Sequence, residues 1–151
     1  MGQLQDAGNT TTFAHYLNWL ANAGFVSGLQ EYAGQQVRRR GSSPKFQVFN
    51  TALMTAHANI GFEELVKNPD LWGRWVESTV GSYLLNQTVG QDLSLYYWSK
   101  SNMEVDFVLV KGDQATAIEI KSGAKRVTLP GMDAFSKEFN VAKKLLVGAQ
   151  G

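Results

Sequence analysis

A chain of 151 residues, 44% hydrophobic and 18% charged, can build one ordinary domain or a small domain with an appendage. Its formal net charge of +1 names no polyanionic partner, so any nucleic-acid contact has to come from a local patch. With no cysteine and no apolar run near the roughly 18 residues of a membrane helix, disulfides, thiolate chemistry and a helical membrane span are excluded, and a soluble, cytoplasmic protein without a membrane partner is expected.

The opening MGQLQDAGN lacks the basic-then-apolar pattern of a secretory signal, and Asp6 stands where a myristoylation motif wants Ser or Thr. Asn9 and Thr10 to Thr12 offer caps for a helix predicted over Asn9 to Ala23. Phe13, Tyr16, Leu17 and Leu20 give it one apolar face, and Gly24 its stop. FVSGLQEY then reads as a strand, QQVRRRGSSPK as a basic loop, and Phe46 to Phe49 as a second strand. Helix, strand, basic loop, strand is the order of the second half of a winged helix. The loop would be the wing, where Arg38, Arg39, Arg40 and Lys45 meet nucleic-acid phosphates, with DNA favoured; the alternative is a solvated charge run. TALMTAHA is predicted as a short helix or linker. His15 and His57 are far apart in sequence and are expected to be structural or solvated rather than ligands.

From about residue 68 the character changes. Pro69 and Asp70 start a helix predicted to run to about Val89, ended by Gly90. Trp72 and Trp75 are expected in the core or against the N-terminal segment. SLYYWS reads as a strand from its aromatic content. Burial is the expected role of Tyr96, Tyr97 and Trp98, with base stacking the alternative. Glu104 to Val110 and Ala115 to Lys121 are two more strands. A short helix follows over Pro130 to Asn140, with Met132, Phe135 and Phe139 on one side, and KKLLVGA closes as a strand. No Walker A motif is present, which argues against nucleotide hydrolysis by this chain alone.

The hairpin EVDFVLVKGDQATAIEIKSG carries the main chemical signal. Lys111-Gly112-Asp113-Gln114 suits a two-residue II′ turn, whose first central residue needs a positive φ. That turn pairs Lys111 with Gln114, Val110 with Ala115 and Val108 with Ala117. Counting outward, Asp106 faces Glu119 and Glu104 faces Lys121. Alternation then puts Glu104, Asp106, Glu119 and Lys121 on one face, and Val105, Phe107, Leu109, Thr116, Ile118 and Ile120 on a core face. Near the turn the first face is apolar, so the acids form one cluster beside a buried patch. Directly opposed carboxylates repel, and partial burial raises a pKa. Mg²⁺ or Mn²⁺, bound by oxygen ligands and retained waters, would offset that cost. Lys121 would hold a nucleophilic water or a phosphate oxygen. The alternative is a Glu104–Lys121 ion pair, with Asp106 and Glu119 at a wet sheet edge. Glu77 lies between Gly73 and Gly81, one helical turn away on either side. It is either a third acid on a bared surface or the solvent edge of a close helix–sheet contact. Close packing would account for two interior glycines that cost about 1 kcal/mol each relative to alanine.

Taken together, WVESTVGSYLL, LYYWSKSNMEVDFVL and AIEIKSG resemble the PD-(D/E)XK nuclease-like fold. More closely, they resemble the C-terminal domain of a large family of prokaryotic AAA-type ATPases, long filed as a domain of unknown function. Those proteins show a YYWR-like, an EVDFVL-like and an IEVKS-like strand in this order. GNTTTFAHYLNWLANAGFV and SSPKFQVFNTAL are similar to the winged-helix piece that links ATPase to nuclease-like domain in that family. The resemblance implies an α/β (α+β) chain. Residues 1–60 would be a partial winged-helix segment, and 61–151 a restriction-endonuclease-like αβββαβ core truncated at its C-terminus, with the ATPase module absent. It implies Asp106 and Glu119 as ligands of Mg²⁺ (or Mn²⁺), Lys121 as the lysine of the E-x-K, and Glu77 as the acid of the first helix. Glu77, Asp106, Glu119 and Lys121 are then the catalytic set. Ser99 departs from the pattern, since a basic residue often follows the Trp. The implied function is a Mg²⁺-dependent nuclease-like or nucleic-acid-binding domain normally attached to an AAA-type ATPase. Two alternatives stand beside it. One is a non-catalytic regulatory or interaction module of that ATPase, with the acids as relics. The other is a plain winged-helix DNA-binding protein that depends on Arg38 to Arg40.

Overall fold

In the computed structural model, residues 10–34, 43–123 and 128–148 are described. Local signals set most element ends. The Asn68 side chain caps the longest helix by accepting the Leu71 N–H at 3.2 Å, with Pro69 in its first turn. Gly90, at φ +70°, follows its end. The elements are α1 (Thr10–Asn22), β1 (Val26–Glu31), β2 (Lys45–Val48), α2 (Ala52–Ala58), α3 (Phe62–Lys67), α4 (Pro69–Thr88), β3 (Ser94–Lys100), β4 (Met103–Lys111), β5 (Gln114–Ile120), α5 (Pro130–Glu138) and β6 (Val141–Val147). From residue 69 this is the expected order of helix, three strands, helix, strand. The short helix α3 was not expected. It brings Phe62 edge-on to Trp72, while the Trp75 indole donates to Thr55 of α2 at 3.5 Å. Both tryptophans thus meet the preceding segment, as expected.

The strands form one mixed six-stranded sheet in the order β2-β1-β3-β4-β5-β6. β1–β2, β3–β4 and β4–β5 are antiparallel, and β1–β3 and β5–β6 are parallel. The chain is therefore a mixed α/β protein. The β1–β2 hairpin expected in the N-terminal segment forms, but it joins the central sheet: Gln30 and Glu31 of β1 pair with Tyr96 and Tyr97 of β3. Along α1, Tyr16, Trp19 and Leu20 are exposed, so the apolar face expected of this helix is largely uncovered among the described residues. At the far edge of the sheet, Lys143, Lys144, Leu145 and Leu146 of β6 are all exposed. Arg38, Arg39 and Arg40 lie outside the described residues.

Two apolar layers sandwich the sheet. On one side α4 packs Val76, Val80, Leu84 and Leu85 against Leu29, Leu95, Phe107, Ile118 and Ile120. On the other, Met132 and Phe135 of α5 pack against Trp98, Val105, Val108, Ala115 and Ala117. Trp98 is 2% exposed, so it is a core residue, as expected. Val105 is the exception to the expected alternation, which puts it with Phe107. Between Tyr96↔Val108 and Trp98↔Val105, β4 uses one more residue than β3. This bulge breaks the alternation and turns Val105 to the α5 side.

A polar seam ties α4 to β2. The buried Gln47 amide donates to the Ser78 carbonyl at 2.9 Å, Ser82 Oγ donates to the Val48 carbonyl at 2.8 Å, and Asn86 Nδ2 donates to the Phe49 carbonyl at 2.9 Å. Gly81 sits within this seam, where a Cβ would meet the Gln47 amide and lie 2.6 Å from Phe107 Cζ. The closest approach is on the opposite face. A Cβ on Gly131 of α5 would run into the Glu104 carbonyl, 2.8 Å from its carbon. The obstacle is backbone and cannot swing aside. Gly131→Ala should therefore lower stability by about 1–3 kcal/mol through overpacking, read as a reduced urea midpoint; an unchanged midpoint would show that α5 has room to retreat.

Candidate functional site

The bulge in β4 also decides where Asp106 goes. The β4–β5 ladder keeps the expected register from Lys111↔Gln114 to Phe107↔Ile118. Gly112, at φ +58°, supplies the positive φ that the turn needs. The expected pairings Asp106↔Glu119 and Glu104↔Lys121 are not among the ladder pairs. Instead, Asp106 Oδ2 accepts the Ile120 N–H at 2.8 Å: a side chain takes the place of a strand carbonyl.

Asp106 is 6% exposed. Its carboxyl is pushed up from an ordinary 3.8 to about 6. Burial is the chief cause and the charges of Glu119 and Glu77 add to it, while the Ile120 N–H and the Lys45 ammonium pull the other way. Glu119 is almost as buried, at 7%. Its Oε1 lies 2.6 Å from Lys121 Nζ, while its Oε2 is buried with no hydrogen-bond partner among the described residues. An unsatisfied buried oxygen of this kind is rare. Burial pulls Lys121 down, but the hydrogen bond and charge of Glu119, with the charges of Asp106 and Glu104, outweigh it and leave the lysine raised. Lys121 is thus a fixed cation, suited to stabilising negative charge and unsuited to accepting a proton. Since it pairs with Glu119, the alternative Glu104–Lys121 ion pair does not form.

Glu77 reaches the same place from α4, and Lys45 reaches it from β2. Lys45 Nζ pairs with Glu77 Oε1 at 2.5 Å, approaches the Asp106 carbonyl oxygen at 3.5 Å, and stands 5.1 Å from the centre of the Phe107 ring. The basic loop was expected to present Lys45 outward with Arg38 to Arg40, but Lys45 begins β2 and turns toward the acids. The two glycines flanking Glu77 divide the expected roles. Gly81 allows the close helix–sheet contact, whereas Gly73 lines a cleft, where a Cβ would meet only Ser122 Oγ at 3.4 Å.

That cleft has a volume of about 330 Å³. Its wall carries the acids Asp70, Glu77, Glu104 and Asp106 and the bases Arg74 and Lys121. Asp70, Arg74 and Ser122 are not among the site residues expected from sequence. For two of them a signal existed: Asp70, Gly73, Arg74 and Glu77 follow the i, i+3, i+4, i+7 spacing of one helix face. Among the described residues, no group of three or more His, Asp or Glu side chains is close enough to hold a metal ion by itself. Tyr97 is half-buried and its hydroxyl donates to the Ser43 carbonyl at 2.7 Å. His15 and His57 are exposed and stand apart from the cleft.

The raised Asp106 carboxyl fixes the sign of a pH effect. The folded state holds this proton more tightly than the unfolded chain does. Its contribution to stability is therefore complete below about pH 4 and lost as pH rises through about 6. The gap between 3.8 and about 6 corresponds to roughly 3 kcal/mol. Asp106→Asn keeps an oxygen for the Ile120 N–H and removes the charge. In chelator it should be more stable than the wild type near neutral pH by up to about that amount, with the advantage closing as pH falls to about 4. Denaturant unfolding across this range checks it, and a constant difference would refute the assignment.

Residues 72–150 match the model of a family described as "Domain of unknown function (DUF4143)", a domain commonly found with AAA ATPases. No curated protein and no solved structure matches the chain. The matched span runs from α4 through β6 and takes in Glu77, Asp106, Glu119 and Lys121, while Lys45 lies before it. Because the match covers more than half of the 151 residues, the chain belongs to the DUF4143 family.

Proposed function

We propose that this chain is a Mg²⁺-dependent, nuclease-like or nucleic-acid-binding domain on a restriction-endonuclease-like core, normally attached to an AAA-type ATPase and working in the cytoplasm. One observation carries this reading: a buried Asp106 carboxyl with a raised pKa lies beside Glu119, which keeps one buried oxygen without a partner among the described residues. The α4-β3-β4-β5-α5-β6 order and the Glu119-x-Lys121 spacing support it. The α1-β1-β2 order of the preceding segment supports a winged-helix origin for that part.

A divalent cation fits these residues. It would find two carboxylates, give Glu119 Oε2 the partner it lacks, and draw Asp106 back toward the ionised form. Water would complete the shell, as Mg²⁺ prefers. When bound, the ion would supply Lewis acidity toward a phosphoryl oxygen and a more acidic water. Asp106 and Glu119 would hold it. Lys121, kept protonated by Glu119, would stabilise charge developing on the phosphate. Glu77, once released by Lys45, would add its negative charge to the ion's surroundings from the α4 side of the cleft. The charge balance of the wall favours a polyanion only once a cation is in place, since four acids face two bases.

A second reading has its own support. Glu77 is already neutralised by Lys45 and Glu119 by Lys121, as in a chain that retains the acids as scaffold for a regulatory or interaction module of the ATPase. Calorimetric titration with Mn²⁺ separates the two. The wild type should bind, and Asp106→Ala and Glu119→Ala should each weaken binding at least tenfold. Metal-dependent cleavage of DNA or RNA is then the next assay. Absence of Mn²⁺ uptake by the correctly folded wild type and by Lys45→Met alike would leave the interaction module standing.

A further inference from the structure

Lys45 lies outside the segment that matches the family model, yet its ammonium pairs with Glu77, which lines the cleft. The Lys45–Glu77 pair joins residues 32 apart in sequence, from β2 and α4. Both side chains are partly sheltered, at 29% and 31% exposed, against 55% and 40% for the peripheral Lys100–Glu138 pair. The same ammonium faces the Asp106 carbonyl oxygen and the face of Phe107. Three acceptors of positive charge thus converge on one lysine: a carboxylate, a carbonyl and an aromatic ring. A site that would take a metal ion offers the same kind of surroundings.

We propose that Lys45 is the resident counter-ion of Glu77, neutralising it until a divalent ion arrives and competing with that ion for the same carboxylate. This role rests on the metal reading above and adds a control on loading, supplied by the β1–β2 hairpin. The exchange is physically accessible. A partly exposed ion pair is worth little in free energy, so an incoming double charge can displace it. The ammonium stays tethered to β2 and becomes available to an anionic substrate. Removing it both frees Glu77 and lifts the repulsion between a single and a double positive charge a few ångströms apart, together about tenfold in affinity even at water-like screening.

The test is Mn²⁺ calorimetry on the full chain, comparing the wild type with Lys45→Met, Glu77→Gln, the double variant, and Lys111→Met at the far end of β4. Lys45→Met should bind about tenfold more tightly and Lys111→Met like the wild type. The gain from Lys45→Met should shrink once Glu77 is Gln, because the contested carboxylate is gone. If the wild type binds in an Asp106-dependent way and Lys45→Met binds no tighter, Lys45 is a structural tie and this proposal alone falls. It falls likewise if the gain is undiminished in the Glu77→Gln background. If Lys45→Met binds and the wild type does not, Lys45 closes the site completely and the proposal stands. If neither binds, the metal reading falls with it. Should Lys45→Met fail to fold, the Lys45 ammonium resonance of the wild type is followed by nitrogen-15 NMR as Mg²⁺ is added. It should move on loss of the ion pair; a resonance that stays fixed overturns the competition.

Discussion

A carboxylate set into the middle of a packed protein needs a donor that is already there. For Asp106 the donor is the Ile120 N–H, which becomes available because the β4–β5 ladder stops at Phe107↔Ile118. The bulge opposite Tyr96 and Trp98 helps make this possible. It shifts β4 by one residue, sends Val105 to the α5 side, and leaves Asp106 turned toward β5. The two hydrophobic layers on either side hold both strands in place around this break. Without those layers the aspartate would move out to water and the neighbouring acids would have no reason to interact.

The same arrangement explains why helices approach so closely at two points. α5 reaches β4 at Gly131 beside the Glu104 carbonyl, and α4 reaches β2 and β4 at Gly81. Each contact flanks the strand that carries Asp106. The seam of Gln47, Ser82 and Asn86 then fixes how α4 lies on β2. Since Glu77 belongs to α4 and Lys45 to β2, the seam also fixes their mutual position. The Lys45 and Glu77 side chains are therefore set by packing that contains neither of them.

Much of this was legible in the chain itself. The Pro69 start of α4, the Gly112-Asp113 turn and the pattern of β4 and β5 are local signals, and each produced the expected element. Of the set Glu77, Asp106, Glu119 and Lys121, the first two and Lys121 line one cleft, and Glu119 adjoins it through Lys121. The failures arose from long-range effects. A bulge depends on what β3 requires of β4, so strict alternation misplaced Val105 and paired Asp106 with Glu119. The parallel pairing of β1 with β3 joins residues more than sixty positions apart, and no local pattern announces it. Its sequence neighbours place Lys45 in the basic loop, whereas its surroundings are chosen by β2 and α4.

The rim of the sheet bears on how the protein coexists with copies of itself. Among the described residues β6 pairs with β5 alone, and Leu145 and Leu146 are exposed, which is the profile of a strand that recruits others by edge-to-edge pairing. Lys143 and Lys144 stand immediately before them. An approaching identical strand would have to bring its own ammonium groups against these. The two lysines thus have the placement of charged gatekeepers beside the exposed leucines.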